Sequence, residues 1–184
     1  MRYIFDFDDV IFYTTKFRKE YTYTFFEKLS INHEILEEYY QKARGENFSM
    51  KKLIKYFSLK EEIYDEVMQD CINFANKELI EIIKKLGKEN CFIITYGEEE
   101  FQLDKIRRVG VENLFSEVFV VVSDEKKELI EKICNQFRNE TILFVDDKIK
   151  HFKELDLIKF PNLKPILFNE QGLEKLKEEI VRII

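Results

Sequence analysis

With 184 residues the chain is long enough for one domain of ordinary size, or one domain carrying an insertion, and for a substantial core. It is 45% hydrophobic, with 18 Phe and 9 Tyr, which excludes a disordered chain. A formal net charge of -6 argues against a nucleic-acid partner, while leaving room for a local basic pocket that holds an anion.

The first predicted element is the apolar strand Tyr3 to Asp6, at the head of "YIFDFDDVIF". It runs into the aspartates Asp6, Asp8 and Asp9, with only Phe7 among them. Strands disfavour Asp and like charges this close repel, so local stability gives no reason for the cluster. From about Phe12 to about Phe74 the pattern is helical: "SMKKLIKYF" reads as one helix, and Ser58-Leu-Lys-Glu61 as a capping box that opens another. The stretch "NKELIEIIKKLG" places Leu79, Ile82, Ile83 and Leu86 on one helical face and closes at Gly87.

Short apolar strands follow at Cys91 to Thr95, Val118 to Val122, Ile142 to Val145 and Pro165 to Phe168. A helix starts near Ser123 to Lys127 and continues through "KKELIEKICNQF", with Leu129, Ile130, Ile133 and Phe137 on its apolar side. Alternating strands and helices predict an α/β fold, a parallel sheet sandwiched by helices. Residues 1–14 and 75–184 form the sheet domain, and residues 15–74 are a helical insertion after the first strand. With few Gly and Pro and no low-complexity linker, the insertion is expected to pack against the sheet domain. Its aromatic residues, among them Tyr21, Tyr23, Phe25, Phe26, Tyr39 and Tyr40, read first as core and second as a surface for a ligand.

Cys71, Cys91 and Cys134 form no CxxC pair, and an odd number cannot all pair within the chain. No apolar run approaches the ~20 residues of a membrane span, and the N-terminal aspartates interrupt the only candidate for a secretion signal. The expectation is a soluble, cytoplasmic protein with no membrane partner.

Ligands of an open parallel sheet bind beyond the carboxyl ends of the strands. There stand Asp6 and Asp8 after the first strand, Thr95 after the second, Lys126 and Lys127 after the third, and Asp146 and Asp147 after the fourth. Each alone has a bland reading. A strand-end Asp is often a turn former or helix cap, Thr is at home in strands, and helical lysines are usually solvated. Two lysines in a first helical turn, however, sit against the helix dipole.

Together, Asp6-Phe7-Asp8-Asp9-Val10 after an apolar strand, "CFIITYG" with Thr95, a helix-start Lys and "ILFVDD" resemble the four motifs of the haloacid dehalogenase superfamily of Mg²⁺-dependent hydrolases. The stretch "KIRRVGVENLFSEVFVVVSDEKKELI" is also similar to that family's segment between its second and third motifs. The resemblance covers residues 3–13 and about 76–150, and implies a Rossmann-like sheet with a helical cap at residues 15–74. It further implies that Asp6 is a nucleophile forming an aspartyl-phosphate. Asp8 would give its backbone carbonyl to Mg²⁺ and act as general acid and base, starting protonated. Thr95 and the N–H groups around Tyr96 and Gly97 would hold phosphoryl oxygens, and Asp6, Asp146 and Asp147 would be metal ligands. The motif lysine is Lys126 or Lys127. Apolar residues at +4 and +7, Ile130 and Ile133, favour Lys126, with Lys127 beside the substrate. Asp9 stands where many members have Gly, and local turn structure explains it equally well.

Dehalogenases of this family lack an acid at the position of Asp8, because halide leaves without a proton. The implied activity is therefore hydrolysis of a small phosphorylated metabolite. The competing reading is a catalytically silent module that binds a phosphate or phosphoprotein, which would not need both Asp6 and Asp8. A response-regulator receiver would not carry the long insertion. His33 and His151 form no Ser-His-Asp arrangement and read as ordinary surface or packing residues.

Overall fold

The computed structural model describes residues 1–43, 47–122 and 126–183, so positions 123–125 of the expected helix start lie outside the described residues. Among the described residues, five parallel strands form one sheet: β1 (Arg2–Phe5), β2 (Cys91–Tyr96), β3 (Glu117–Val121), β4 (Ile142–Asp146) and β5 (Leu163–Leu167), in the order β3-β2-β1-β4-β5. Tyr3 lies opposite Cys91 on one side and Leu143 on the other, so β1 is the central strand.

Side chains of a strand alternate between its two faces. Tyr3 and Phe5 point to one face, with Ile93, Leu143 and Val145. Ile4 points to the other, with Phe92, Ile94, Ile142 and Phe144. Both faces are covered, which is why β1, β2 and β4 read as unbroken apolar runs.

The described residues between 14 and 68 are helical around short turns. The helix α1 (Thr14–Lys16), a π-helical stretch (Phe17–Thr22) and α2 (Tyr23–Lys28) run on without a break, followed by α3 (His33–Lys42), α4 (Met50–Tyr56) and α5 (Ile63–Met68). The sheet is covered by α6 (Lys77–Leu86), α7 (Glu99–Val109) and α8 (Lys127–Gln136), with α9 (Ile149–Lys153) and α10 (Gly172–Ile183) later in the chain. Among the described residues no helix is long and apolar enough to cross a membrane.

The helical segment joins the sheet where the chain crosses out and back. The Tyr13 amide donates to the Phe74 carbonyl at 2.9 Å, and the Asn76 amide to the Ile11 carbonyl at 2.8 Å. Phe17, Phe26, Leu36, Met50 and Leu53 of that segment lie in the same apolar cluster as Phe5, Phe7 and Phe12. Of the aromatics noted in the sequence, Tyr23 and Phe26 are buried core, while Tyr21, Phe25, Tyr39 and Tyr40 pack against it half-buried.

Two local expectations are corrected. Ser58 does not open a helix; it closes α4. Ser58 is left-handed at φ 54°, its amide reaches the Lys55 carbonyl at 3.0 Å, and the Leu59 amide reaches the Ile54 carbonyl at 3.0 Å. This pair of bonds is a Schellman motif with Ser58 in the place glycine usually takes. The next helix, α5, starts later, after Glu62, which caps with no side-chain bond. In α6 the buried residues are Leu79, Ile80 and Ile83, and Leu86 packs half-buried against the same core, so Ile80 takes the place on the apolar face expected for Ile82.

Candidate active site

The carboxyl end of β1 lies between those of β2 and β4, the crevice where strand order reverses in this sheet. Asp6, one residue past β1, is held there by its amide bond to the Val145 carbonyl at 2.8 Å. Its side chain is buried, with Oδ1 accepting the Phe7 amide at 2.7 Å. Lys126 precedes α8, and its Nζ is 2.9 Å from Asp6 Oδ2 and 2.8 Å from Asp146 Oδ2. Asp146, fully buried at the end of β4, also accepts the Lys148 amide on Oδ1 at 2.8 Å and contacts His151 Nδ1 through Oδ2 at 2.8 Å.

One ammonium thus serves two buried carboxylates. Burial pushes Asp6 up, further than Lys126 brings it down, and Asp146 adds to the rise. Burial would raise Asp146 too, but His151, Lys126 and the Lys148 amide outweigh it and leave Asp146 below the usual carboxylate range. The two carboxylates hold Lys126 above its ordinary value against the effect of burial.

Asp147 adds a third carboxylate. One oxygen from each of Asp6, Asp146 and Asp147 lies within 4.8 Å of the others. Asp147 Oδ1 is buried without a hydrogen-bond partner among the described residues. Burial and the neighbouring acids Asp6, Asp146 and Asp9 push its carboxyl up to about 6, with Lys148 opposing. An all-oxygen, partly unpaired donor set of this kind fits a small hard cation such as Mg²⁺. Thr95, fully buried at the end of β2, likewise has an unpartnered Oγ1.

The side chain of Asp8 has partners other than Lys126. It accepts a hydrogen bond from the Thr14 hydroxyl, from Gln102 Nε2 at 2.7 Å and from Lys105 Nζ at 2.5 Å. Burial alone would raise its pKa, but Lys105, Gln102 and Thr14 outweigh that and hold it below the usual carboxylate range. Against the expectation that Asp8 starts protonated, these three donors favour its ionised form. Lys105, buried on α7, also lies 5.5 Å from the Phe7 and Phe12 ring centres and 5.0 Å from that of Phe101.

Gly97 is also redefined. Its amide donates to the Val121 carbonyl at 3.0 Å and is not free for a ligand. At φ +153°, a Cβ there would come within 2.5 Å of Gln102 Nε2, so glycine is needed to let Gln102 reach both Asp8 and the Tyr96 carbonyl, the latter at 2.6 Å. Lys127 does not join the site: it is exposed and faces Glu131 at 3.8 Å, because one residue of helical advance turns it to the outer side of α8. Asp9 at φ 56° accepts from the Thr15 amide at 2.8 Å and the Thr15 hydroxyl at 2.7 Å, which ties the loop after β1 to the start of the helical segment.

Lys105, Gln102 and His151 were not singled out as site residues. The first two lie on a helix whose other residues are mostly charged, and the sequence around His151 reads as ordinary surface or packing. The signal that finds Lys105 is the burial of a cation at 2% exposure, a tertiary property.

Tyr96, Gly97 and Asp8 open onto a cavity of about 370 Å³ between the strand ends and the helical segment, lined on the far side by Arg18, Tyr40 and Phe48. A larger groove of about 900 Å³ between α4, α5 and α7 does not reach the strand-end acids.

No protein-family model and no curated protein sequence matches the chain. Solved structures do. A provisionally assigned haloacid dehalogenase-like hydrolase from Burkholderia xenovorans LB400 superposes with a TM-score of 0.66 at 15% identity, over 93% of this chain and 86% of that one. A provisionally assigned HAD-hydrolase from Bacillus subtilis, bound to magnesium, gives 0.59 at 17% identity over 91% and 86%. A provisionally assigned β-phosphoglucomutase from Thermotoga maritima gives 0.53 at 17% identity over 97% and 99%. The fold of this chain is that of the haloacid dehalogenase-like hydrolases, a five-stranded parallel sheet flanked by helices.

Proposed function

We propose that the protein is a Mg²⁺-dependent phosphatase that hydrolyses a small phosphate monoester through an aspartyl-phosphate on Asp6. The observation that carries this reading is the gathering of Asp6, Asp146 and Asp147, the first two paired with buried Lys126, with the acid Asp8 on the side of the cavity. Asp6, Asp146 and Asp147, with the Asp8 carbonyl, are the residues that would hold the metal. Bound there, Mg²⁺ supplies positive charge against the phosphoryl oxygens.

An Asp6 oxygen attacks phosphorus, the bond from phosphorus to the ester oxygen breaks, and Lys126 offsets charge on the attacking group. The unpartnered Thr95 hydroxyl donates to a phosphoryl oxygen. Asp8, ionised at rest, is ready to take a proton from the water that later cleaves the aspartyl-phosphate; to protonate the leaving oxygen it first needs a proton delivered with the substrate's phosphate. The helical segment acts as a cap that excludes water and contacts the leaving group.

Release of phosphate from p-nitrophenyl phosphate, compared in Mg²⁺ and in EDTA, tests the reading. Turnover in Mg²⁺ alone is expected, and tight binding of phosphate without turnover in either condition would favour the silent binding module.

Metal binding has its own readout in stability. Mg²⁺ that binds only the native state at 100 times Kd adds ~2.7 kcal/mol. For a chain of this length that is a melting shift of roughly 5 to 10 °C. Asp147→Asn removes a buried charge that its neighbours repel, together with one ligand oxygen. The variant should melt higher than wild type in EDTA and gain much less from Mg²⁺. A variant that melts lower in EDTA and still responds fully to Mg²⁺ would mean that Asp147 holds no metal.

A further inference from the structure

The far end of the cavity, opposite Asp8, is built from the π-helical stretch Phe17–Thr22. Single π-helical turns inside α-helices are rare overall and are frequent at functional sites. Two of its residues, Arg18 and Thr22, four apart, both line the cavity. Arg18 Nε and Thr22 Oγ1 are buried with no hydrogen-bond partner, and Thr22 is 0% exposed. Arg18 makes no ion pair among the described residues; its contact is with the Tyr40 ring, 5.2 Å from the guanidinium carbon. The nearby acid Glu37 feels the charge of Arg18 but forms no ion pair with it; its hydrogen bonds come from the Tyr23 hydroxyl and Gln41.

A buried Arg18 Nε and a buried Thr22 hydroxyl left without hydrogen-bond partners beside a cavity cost free energy that a ligand anion would recover. The rings on the cavity wall lead from one end to the other: Lys105, beside Asp8, lies against Phe101, Phe101 against Phe48, Phe48 against Tyr40, and Tyr40 against Arg18. The cavity therefore has a polar mouth at the strand ends, an aromatic middle and a cationic far end.

We infer that Arg18 and Thr22 form a second anion subsite, and that the substrate is a phosphate monoester whose alcohol part is apolar or aromatic and carries a carboxylate or a second phosphate. This rests on the phosphatase reading for the position of the first phosphate, and it adds the class of leaving group. An Arg-to-anion pair can discriminate because a ligand lacking the anion leaves the guanidinium unpaired.

The test compares phenyl phosphate, 4-carboxyphenyl phosphate and 1,4-phenylene bisphosphate as substrates of wild type, Arg18→Met and Thr22→Val. Wild type should prefer one or both anionic esters by roughly 10- to 100-fold in kcat/KM, the worth of a charge-assisted hydrogen bond. Preference for the carboxylate or for the bisphosphate names the second anion. Arg18→Met should bring the ratio to within about threefold of one, and Thr22→Val should reduce it, provided each melts as a folded protein. The same comparison is made by calorimetry with phenylphosphonate and 4-carboxyphenylphosphonate, which are not hydrolysed. A binding preference that Arg18→Met removes, in a protein with no turnover, would keep the subsite and overturn the phosphatase reading. Turnover of all three esters with no preference in wild type, or a preference unchanged in Arg18→Met, would overturn the subsite and keep the phosphatase.

Discussion

Asp6→Asn is expected to abolish the proposed Mg²⁺-dependent phosphate release while the protein stays folded. The expected loss exceeds about a hundredfold, or ~2.7 kcal/mol of transition-state stabilisation, because an amide cannot form the aspartyl-phosphate. The surroundings of Asp6 predict that stability survives. Asparagine keeps an oxygen for the Phe7 amide, now 2.7 Å from Asp6 Oδ1, and Lys126 retains Asp146 as its partner at 2.8 Å. Burial and Asp146 already disfavour the charged form of Asp6, so removing that charge costs little in the metal-free protein. Single-turnover assays and thermal melts of the same preparation check both halves. A folded variant that retains more than about a hundredth of wild-type turnover would remove Asp6 from the nucleophile role.

Lys126→Ala should do the opposite to stability. It leaves Asp6 and Asp146 facing each other, 2% and 0% exposed, without the cation that serves both. Breaking a buried ion pair by removing one partner costs about 3–5 kcal/mol. At roughly 2–4 °C per kcal/mol for this length, melting in EDTA falls by about 6 to 20 °C. Activity falls too, by about 10²-fold or more in kcat/KM, as for loss of one preorganised charge-stabilising group. Mg²⁺ should restore part of the stability, since it brings positive charge to the same carboxylates, but not the activity. Lys127→Ala is the control: its partner Glu131 is 3.8 Å away on an exposed face, and such pairs contribute little. Melts of both variants in EDTA and in Mg²⁺ decide the matter, and equal losses for the two would contradict the placement of Lys126.

Five strands and the acids at their ends were legible in the sequence because a parallel strand buried on both faces has no polar alternation. An aspartate that interrupts such a run stands out. Asp6 after β1 and Asp146 at the end of β4 stand out for that reason, and the register that sets Phe5 beside Val145 then brings them together. The choice between Lys126 and Lys127 was also within reach, since helix phase against Ile130 and Ile133 depends on local spacing alone.

Only the tertiary structure decided the state of Asp8. Its neighbours Gln102 and Lys105 come from α7, and a buried lysine in a charged helix has the same local pattern as a solvated one. The same holds for Gly97, whose need for glycine comes from the side chain of Gln102 and whose amide is taken by β3, and for Ser58, which ends a helix although its sequence matches a helix start. His151 and Arg18 belong here as well: one is read by its contact with Asp146, the other by its lack of an ion pair among the described residues. Local sequence determines which segments become strands and helices and where charge interrupts them. Which charges are paired, and which are left open to a ligand, depends on side chains brought together from distant elements, and that is settled only when the helical segment closes over the strand ends.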